Sequence, residues 1–204
     1  MKKNKKRRLF IVFEGLDGSG QTTQINLLEK YLKLKGKKVH MTAEPSSSLI
    51  GGLIRAVLTH HWKLSNTGLQ LLYCADRAHH LETEVYPALA KGNIVLSSRY
   101  FFSTIAFGSL NNDTRWLEKI NEKFPKPDVT FFINVSPKEC IKRLDLSRFR
   151  KEIFEKEEKM GKVLRTYIKI GKNKKYKNFF TINGEQPVEK ISQDVIKIID
   201  KFIR

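Results

Sequence analysis

The residues most capable of chemistry lie between Phe10 and Gln24, in the stretch FIVFEGLDGSGQTTQ. A short apolar run, Phe10 to Phe13, reads as a buried strand, a glycine-rich turn follows, and a helical pattern starts directly after it. In that setting the spacing G-x-x-x-x-G-K-[ST] makes a phosphate-binding loop. Its glycines let successive N–H groups turn inward around an anion, at the point where a helix dipole begins. The chain reads Gly15-Leu16-Asp17-Gly18-Ser19-Gly20-Gln21-Thr22, so one position breaks the rule. Gln21 stands where the lysine belongs. A primary amide can donate to a phosphate oxygen but cannot neutralise it. Thr22 keeps the hydroxyl that ligates magnesium in such loops.

The elements that must position this loop alternate strand and helix. A helix is expected from Thr22 to Lys35, ending at Gly36, then a strand from Lys38 to Ala43. Leu49–His60 and Ser65–Lys91 read as helices, with a break near Pro87. Further strands are expected at Asn93–Ser97, Val129–Val135 and Asn178–Ile182. Helices are expected from Pro137 to Leu144, Glu152 to Ile170 and Pro187 to Ile203. Strands separated by helices imply a parallel sheet covered on both faces, with ligands beyond the carboxyl ends of the strands.

At 204 residues the chain is most simply one domain. Lys+Arg 39 against Asp+Glu 21 gives a net charge of +18, which attracts polyanions. The two cysteines, Cys74 and Cys140, have no metal-like spacing and read as buried thiols of a reducing, cytoplasmic protein. No apolar run approaches the length of a membrane span. The basic start, residues 1–8, leads into a run too short for a signal peptide and reads as a solvated arm.

The residues after the other strands give these features a family. FEGLDGSGQTTQ resembles the FEGxDGxGKTTQ of thymidylate kinases. Ala43-Glu44-Pro45 with Gly51 and Ile54-Arg55 resembles their REP…G…IR segment, and Leu71 to Arg77 their LLFxADR. Ser98-Arg99-Tyr100 with Ser103 to Phe107 resembles DRYxxSxxAF, and Pro127-Asp128 with Val129 to Val135 resembles PDLTxxLDV. The motifs occur in order along nearly the whole chain. The resemblance implies a P-loop NTPase-type α/β fold, with a five-stranded parallel sheet, helices on both faces and a small lid at about 145–152, the kinase domain occupying 9–204. It implies phosphorylation of thymidine monophosphate by ATP with Mg2+, in a homodimer, with Gly15 to Thr22 holding ATP and Thr22 the metal.

Phosphoryl transfer brings two polyanions end to end, so positive groups must surround the transferred phosphoryl. Arg99, just past a strand, could clamp the acceptor phosphate bidentately, or be a plain surface arginine. Tyr73 and Arg77 lie four apart on one helix face. The resemblance has Tyr73 stack on thymine, Arg77 donate to a base carbonyl, and Thr104 sit at the base edge. Phe107 would lie against the sugar, unless it is ordinary core. Glu44 and Arg55 are implied on the substrate side, and Asp17 at the sugar hydroxyl and metal-bound water. With Gly18 rather than arginine in the loop, the basic residues are expected in the lid, at Arg148, Arg150 and Lys151.

Three departures bear on activity: Gln21 for lysine, Ser98 for the aspartate of DRY, and Ala43 for the arginine before Glu-Pro. The first removes one positive and the second one negative group, which leaves the net charge of the site nearly unchanged and fits retuning. A nucleotide-binding relative with weak or no kinase activity, and a kinase for another (deoxy)nucleoside monophosphate, stay open as alternatives. The basic segment Lys162–Lys177 raises a nucleic-acid binder as a rival, but no reader motif accompanies the charge, so that partner is not expected.

Overall fold

The structure is a computed structural model that describes residues 9–144 and 150–203, with only the helical backbone described for 150–155. The basic arm (1–8) and Arg148 of the expected lid therefore lie outside the described residues. Five strands, β1 (Phe10–Gly15), β2 (Val39–Ala43), β3 (Ile94–Ser98), β4 (Val129–Asn134) and β5 (Phe179–Asn183), form one sheet in the order β2-β3-β1-β4-β5. Every pairing is parallel, as the alternation of strand and helix requires. β1 is the central strand, and its burial is complete.

The aromatic residues sort by strand alternation. Phe13, Phe131, Phe180 and Phe202 form a chain of rings on one face, with centroids 5.1 to 6.2 Å apart. Their neighbours in sequence turn the other way: Phe132 stacks on Tyr167 at 4.8 Å and meets Phe179, which meets Phe102 edge-on at 5.1 Å. Helices α1 (Gln21–Leu34) and α9 (Val188–Ile199) pack together on the first face. α5 (Phe101–Gly108) and α8 (Arg150–Lys172) pack together on the second.

Two helices were not legible in the sequence, α5 and α6 (Thr114–Asn121). α5 is buried nearly all round, so its FFSTIAFG carries no polar stripe from which to read a period. α6 is a short helix started by Asp113, whose carboxylate accepts from Trp116 N–H at 3.0 Å. The helix expected from Ser65 to Lys91 is three pieces: α3 (Asn66–His80), a π-helical turn (Leu81–Val85) and α4 (Tyr86–Ala90). The wide turn ends at Val85, two residues before Pro87, whose ring would strain a continuous α-helix. The remaining helices, α2 (Leu49–Leu58) and α7 (Pro137–Arg143), match the expectation to within a few residues. Ser48 and Ser65 cap α2 and α3 by accepting from Gly51 and Gly68 N–H, both at 3.1 Å.

The phosphate loop is closed from behind by α7. Gly18 has φ +82°, and a Cβ there would lie 2.6 Å from the Cys140 carbonyl oxygen and 2.9 Å from Leu144 Cγ. Gly18→Ala is expected to destabilise the fold by about 2 kcal/mol or more through both strain and clash. Thermal melting checks this; a variant within about a degree of the parent would contradict the close packing.

Candidate active site

The loop between β1 and α1 folds on itself through Ser19 N–H, which donates to Leu16 O at 3.1 Å. Gly20, at φ 90°, is the left-handed residue that starts α1, and Gln21 is the first residue of the helix. The Gln21 side chain does not extend from the loop. It is buried, and its Nε2 donates to Leu16 O and Ser19 Oγ, both at 3.3 Å, so it braces the loop from within. Its Oε1 is buried with no partner among the described residues. Thr22, next along, is exposed.

Arg99 sits at φ 70°, a left-handed conformation that costs a non-glycine residue energy and recurs at functional sites. It is held there from both sides, its N–H donating to Phe13 O at 2.8 Å and its carbonyl accepting from Ser97 Oγ at 2.8 Å. The bend carries its guanidinium to Gly15 O (3.2 Å), Ser103 Oγ (3.0 Å) and Asp17 Oδ1 (2.7 Å), over the Phe107 ring at 4.9 Å. Asp17 itself is exposed. Burial works against the charge on Arg99, but the fields of Tyr167, Asp17 and Glu14 outweigh it and hold the group protonated.

Glu14, the last side chain of β1, was not singled out in the sequence. It is fully buried, and its oxygens accept from Tyr100 N–H (2.9 Å), Ser103 N–H (3.3 Å), Ser103 Oγ (2.5 Å) and Tyr167 OH (2.8 Å). Desolvation dominates and pushes its carboxyl up to about 7, against the pull of these donors and of Arg99. The available signal was one acid inside an otherwise apolar strand. Tyr167 carried no comparable signal, because its partner is distant in sequence.

A cavity of about 290 Å³ opens beside Arg99. Of the expected substrate residues, Glu44, Tyr73, Arg77, Arg99, Thr104 and Phe107 all line it, as does Asp17. Arg77 is buried. Its Nε and Nη2 donate to Glu44 Oε2 at 3.0 and 2.7 Å, Nη1 to Asn121 Oδ1 at 2.5 Å, and Nη2 again to Thr104 Oγ1 at 2.9 Å. A guanidinium has five N–H groups, so these bonds leave about one to face a ligand. Thr104, as acceptor, keeps its own proton for another oxygen or nitrogen. Tyr73 is half-buried, and burial raises its phenol to about 12, so it is neutral. Gln70 also lines the cavity, its Oε1 buried and without a partner among the described residues; nothing in the sequence marked it.

Arg55 is not brought to the cavity. It donates to Ser46 O at 2.7 Å and Pro45 O at 3.3 Å, bracing the loop after β2. Asp76 holds the same loop through Ser46 N–H (2.7 Å), Ser46 Oγ (2.5 Å) and Ser48 Oγ (2.9 Å). Among the expected lid residues, Arg150 and Lys151 are placed only as the backbone of the first turn of α8.

The sequence model of the family "Thymidylate kinase" matches residues 13–195. The chain belongs to the thymidylate kinase family. It is 33% identical to a probable thymidylate kinase of Pyrococcus horikoshii, over 95% of this chain and 96% of that protein. It is 36% identical to a thymidylate kinase of Thermosipho melanesiensis, over 96% of this chain and 99% of that one. A thymidylate kinase of Thermosipho africanus is 35% identical over 96% of this chain and its own full length. Glu14, Arg77 and Arg99 therefore sit in the framework of a thymidylate kinase family fold.

The Glu14 carboxyl generates a pH dependence whose sign follows from its raised value. Unfolded, it loses its proton near 4.5; folded, it keeps it to about 7. Between these the folded chain binds more protons, so its stability declines as pH rises, by up to about 3 kcal/mol from this group. Glu14→Gln should flatten that decline in urea titrations at matched pH values. An unchanged slope would remove Glu14 as its source.

Proposed function

We propose that this chain transfers the γ-phosphoryl group of ATP to thymidine monophosphate, giving the diphosphate. The observation that carries the reading is the cavity joining Arg99 and Asp17 at its phosphate end to Tyr73, Arg77 and Thr104 at its base end. The acceptor phosphate displaces Asp17 from Arg99 and is clamped by the guanidinium, which Glu14 and Ser103 keep in place. Asp17 is then released toward the sugar hydroxyl. Thymine lies against Tyr73, with the remaining Arg77 N–H and the Thr104 hydroxyl on its polar edge; Phe107 lies against the sugar. The Gly15–Thr22 loop takes the phosphates of ATP, and Arg148 and Arg150 come from the lid side.

Mg2+ fits this arrangement. Among the described residues no group of three or more His, Cys, Asp or Glu could hold a metal. That suits an ion that arrives on the triphosphate and keeps most of its ligands as water and phosphate oxygen. Thr22, exposed at the first turn of α1, and Asp17 are the residues that would meet it. Bound there, it would neutralise charge on the transferring phosphate. Ser98, in place of an acid, offers it no carboxylate.

A second reading, a nucleotide-binding relative of low activity, is favoured by one observation: Gln21 Nε2 is engaged inside the loop rather than offered to a phosphate. ADP release with thymidine monophosphate, compared with other monophosphates, separates the two. Arg99→Ala is expected to lower kcat/KM by about 10²-fold or more with the melting temperature little changed. No ADP with any pyrimidine monophosphate would remove the kinase reading.

The chain is also proposed to work as a homodimer in the cytoplasm. α2 and α3 carry Leu49, Leu53, Leu58 and Leu71 exposed, with Trp62 between the two helices, an apolar surface that a second copy would cover. No helix among the described residues is long and apolar enough to cross a membrane. Sedimentation equilibrium is expected to give twice the chain mass, and Leu49→Glu/Leu53→Glu a single chain mass. A monomer for the parent would reject the dimer.

A further inference from the structure

A second cavity, of about 210 Å³, opens at the amino ends of β4 and β5, the end of the sheet opposite to the phosphate loop and Arg99. Phe102, Tyr176 and Phe179 supply its apolar lining. Lys126, Lys175 and Lys177 line it too, and among the described residues no acid does. Lys126 Nζ and Lys175 Nζ lie 5.8 and 5.5 Å from the centroid of the Tyr176 ring, so two like charges gather at one aromatic group. Little opposes them. Lys175 reaches Glu118 at 3.6 Å in an exposed pair of small weight, and Lys126 donates to Lys175 O at 3.3 Å. Lys177 has no ion pair or hydrogen bond among the described residues. Ammonium groups crowded in this way repel one another, and a bound anion offsets that repulsion.

Two hydroxyls belong to the same lining. Thr130 and Tyr176 are 3% and 8% exposed, and neither hydroxyl has a hydrogen-bond partner among the described residues. Unlike the buried amide oxygens of Gln21 and Gln70, neither is sealed from open space. Both side chains line the cavity, so that is where their hydroxyls can find a partner. Burial pushes the Tyr176 phenol up to about 12, so it stays neutral and can donate.

We propose that this cavity binds a small phosphorylated ring compound, a sugar phosphate or a mononucleotide, with its phosphate on Lys126, Lys175 and Lys177 and its ring toward Thr130 and Tyr176. The inference is independent of the kinase reading, because no residue lines both this cavity and the one beside Arg99. Ammonium groups act as point charges that take up a phosphate from several sides without a fixed fork geometry. An apolar lining with a few polar groups is the form of a small-molecule site. A nucleic-acid strand would instead need open aromatic faces on which to stack bases, and Phe102 and Tyr176 are both buried.

The test is calorimetric titration of the full chain at constant ionic strength with inorganic phosphate, ribose 5-phosphate and adenosine monophosphate. Ribose 5-phosphate should bind at least about tenfold more tightly than inorganic phosphate, a difference of ~1.4 kcal/mol. Adenosine monophosphate separates the two sources: tighter binding than ribose 5-phosphate assigns the site to nucleotides, and weaker binding assigns it to sugar phosphates. Lys126→Gln/Lys177→Gln should weaken ribose 5-phosphate by about tenfold or more, with the melting temperature unchanged. Thr130→Val, which keeps the shape and loses the hydroxyl, should narrow the gap between ribose 5-phosphate and inorganic phosphate. Arg99→Ala, which alters only the other cavity, should leave ribose 5-phosphate affinity as in the parent. Three results overturn the proposal: no preference for ribose 5-phosphate over inorganic phosphate in the parent, unchanged affinity in the lysine variant, or loss of binding in Arg99→Ala. A single-stranded oligothymidylate that binds more tightly than every small phosphate, and is lost in the lysine variant, would also overturn it in favour of a nucleic-acid surface.

Discussion

A single carboxyl group ties the Arg99 side of this molecule together. Glu14 ends the central strand, and its two oxygens receive hydrogen bonds from the turn after β3, from α5 and from α8. A buried carboxyl without such donors is too costly to keep, so these elements stay in one arrangement or the carboxyl is exposed to water. Ser103 links the network outward, donating to Glu14 while accepting from Arg99. The left-handed backbone at Arg99 is then a consequence: the chain must turn sharply after β3 for Tyr100 N–H to reach Glu14.

A second polar layer works by the same logic at the Arg77 end of the cavity. Glu44 and Arg77 are both buried and paired, with His80 Nδ1 3.3 Å from the other Glu44 oxygen and Asn121 on the far side of the guanidinium. Tyr100 and Phe124 lie 5.2 and 5.3 Å from that guanidinium. Buried pairs of this kind contribute little net stability but fix direction. Arg77 is held in place by protein groups on most sides.

The parallel sheet, the loop and most helices were legible because their signals are local: apolar runs of strand length, glycine spacing, and stripes of helical period. The motif order also located six lining residues of the cavity. What escaped has physical reasons. α5 is apolar on every face, so no period marks it. Glu14 and Tyr167 act as a pair across 153 positions, and Arg77 and Asn121 across 44, which no local pattern encodes. Arg55 was expected on the substrate side, and its Nη1 donates to the backbone carbonyls of Pro45 and Ser46, outside the cavity. Gln21 was visible as a missing charge. That its amide would turn inward and leave an oxygen unanswered was not.

Helix α5 has a consequence for how this protein can change. Within one short helix Phe102 is wedged among the rings of Tyr176 and Phe179, while Ser103, Thr104 and Phe107 line the cavity. No residue between Phe101 and Ala106 is free of one duty or the other. A substitution that reshapes ligand choice here also disturbs the packing of the second sheet face, and a stabilising repack shifts the ligand contacts. Selectivity and foldedness are thus written in the same few side chains, so a drift toward a new acceptor must pass through paired changes in α5 and the strands beneath it.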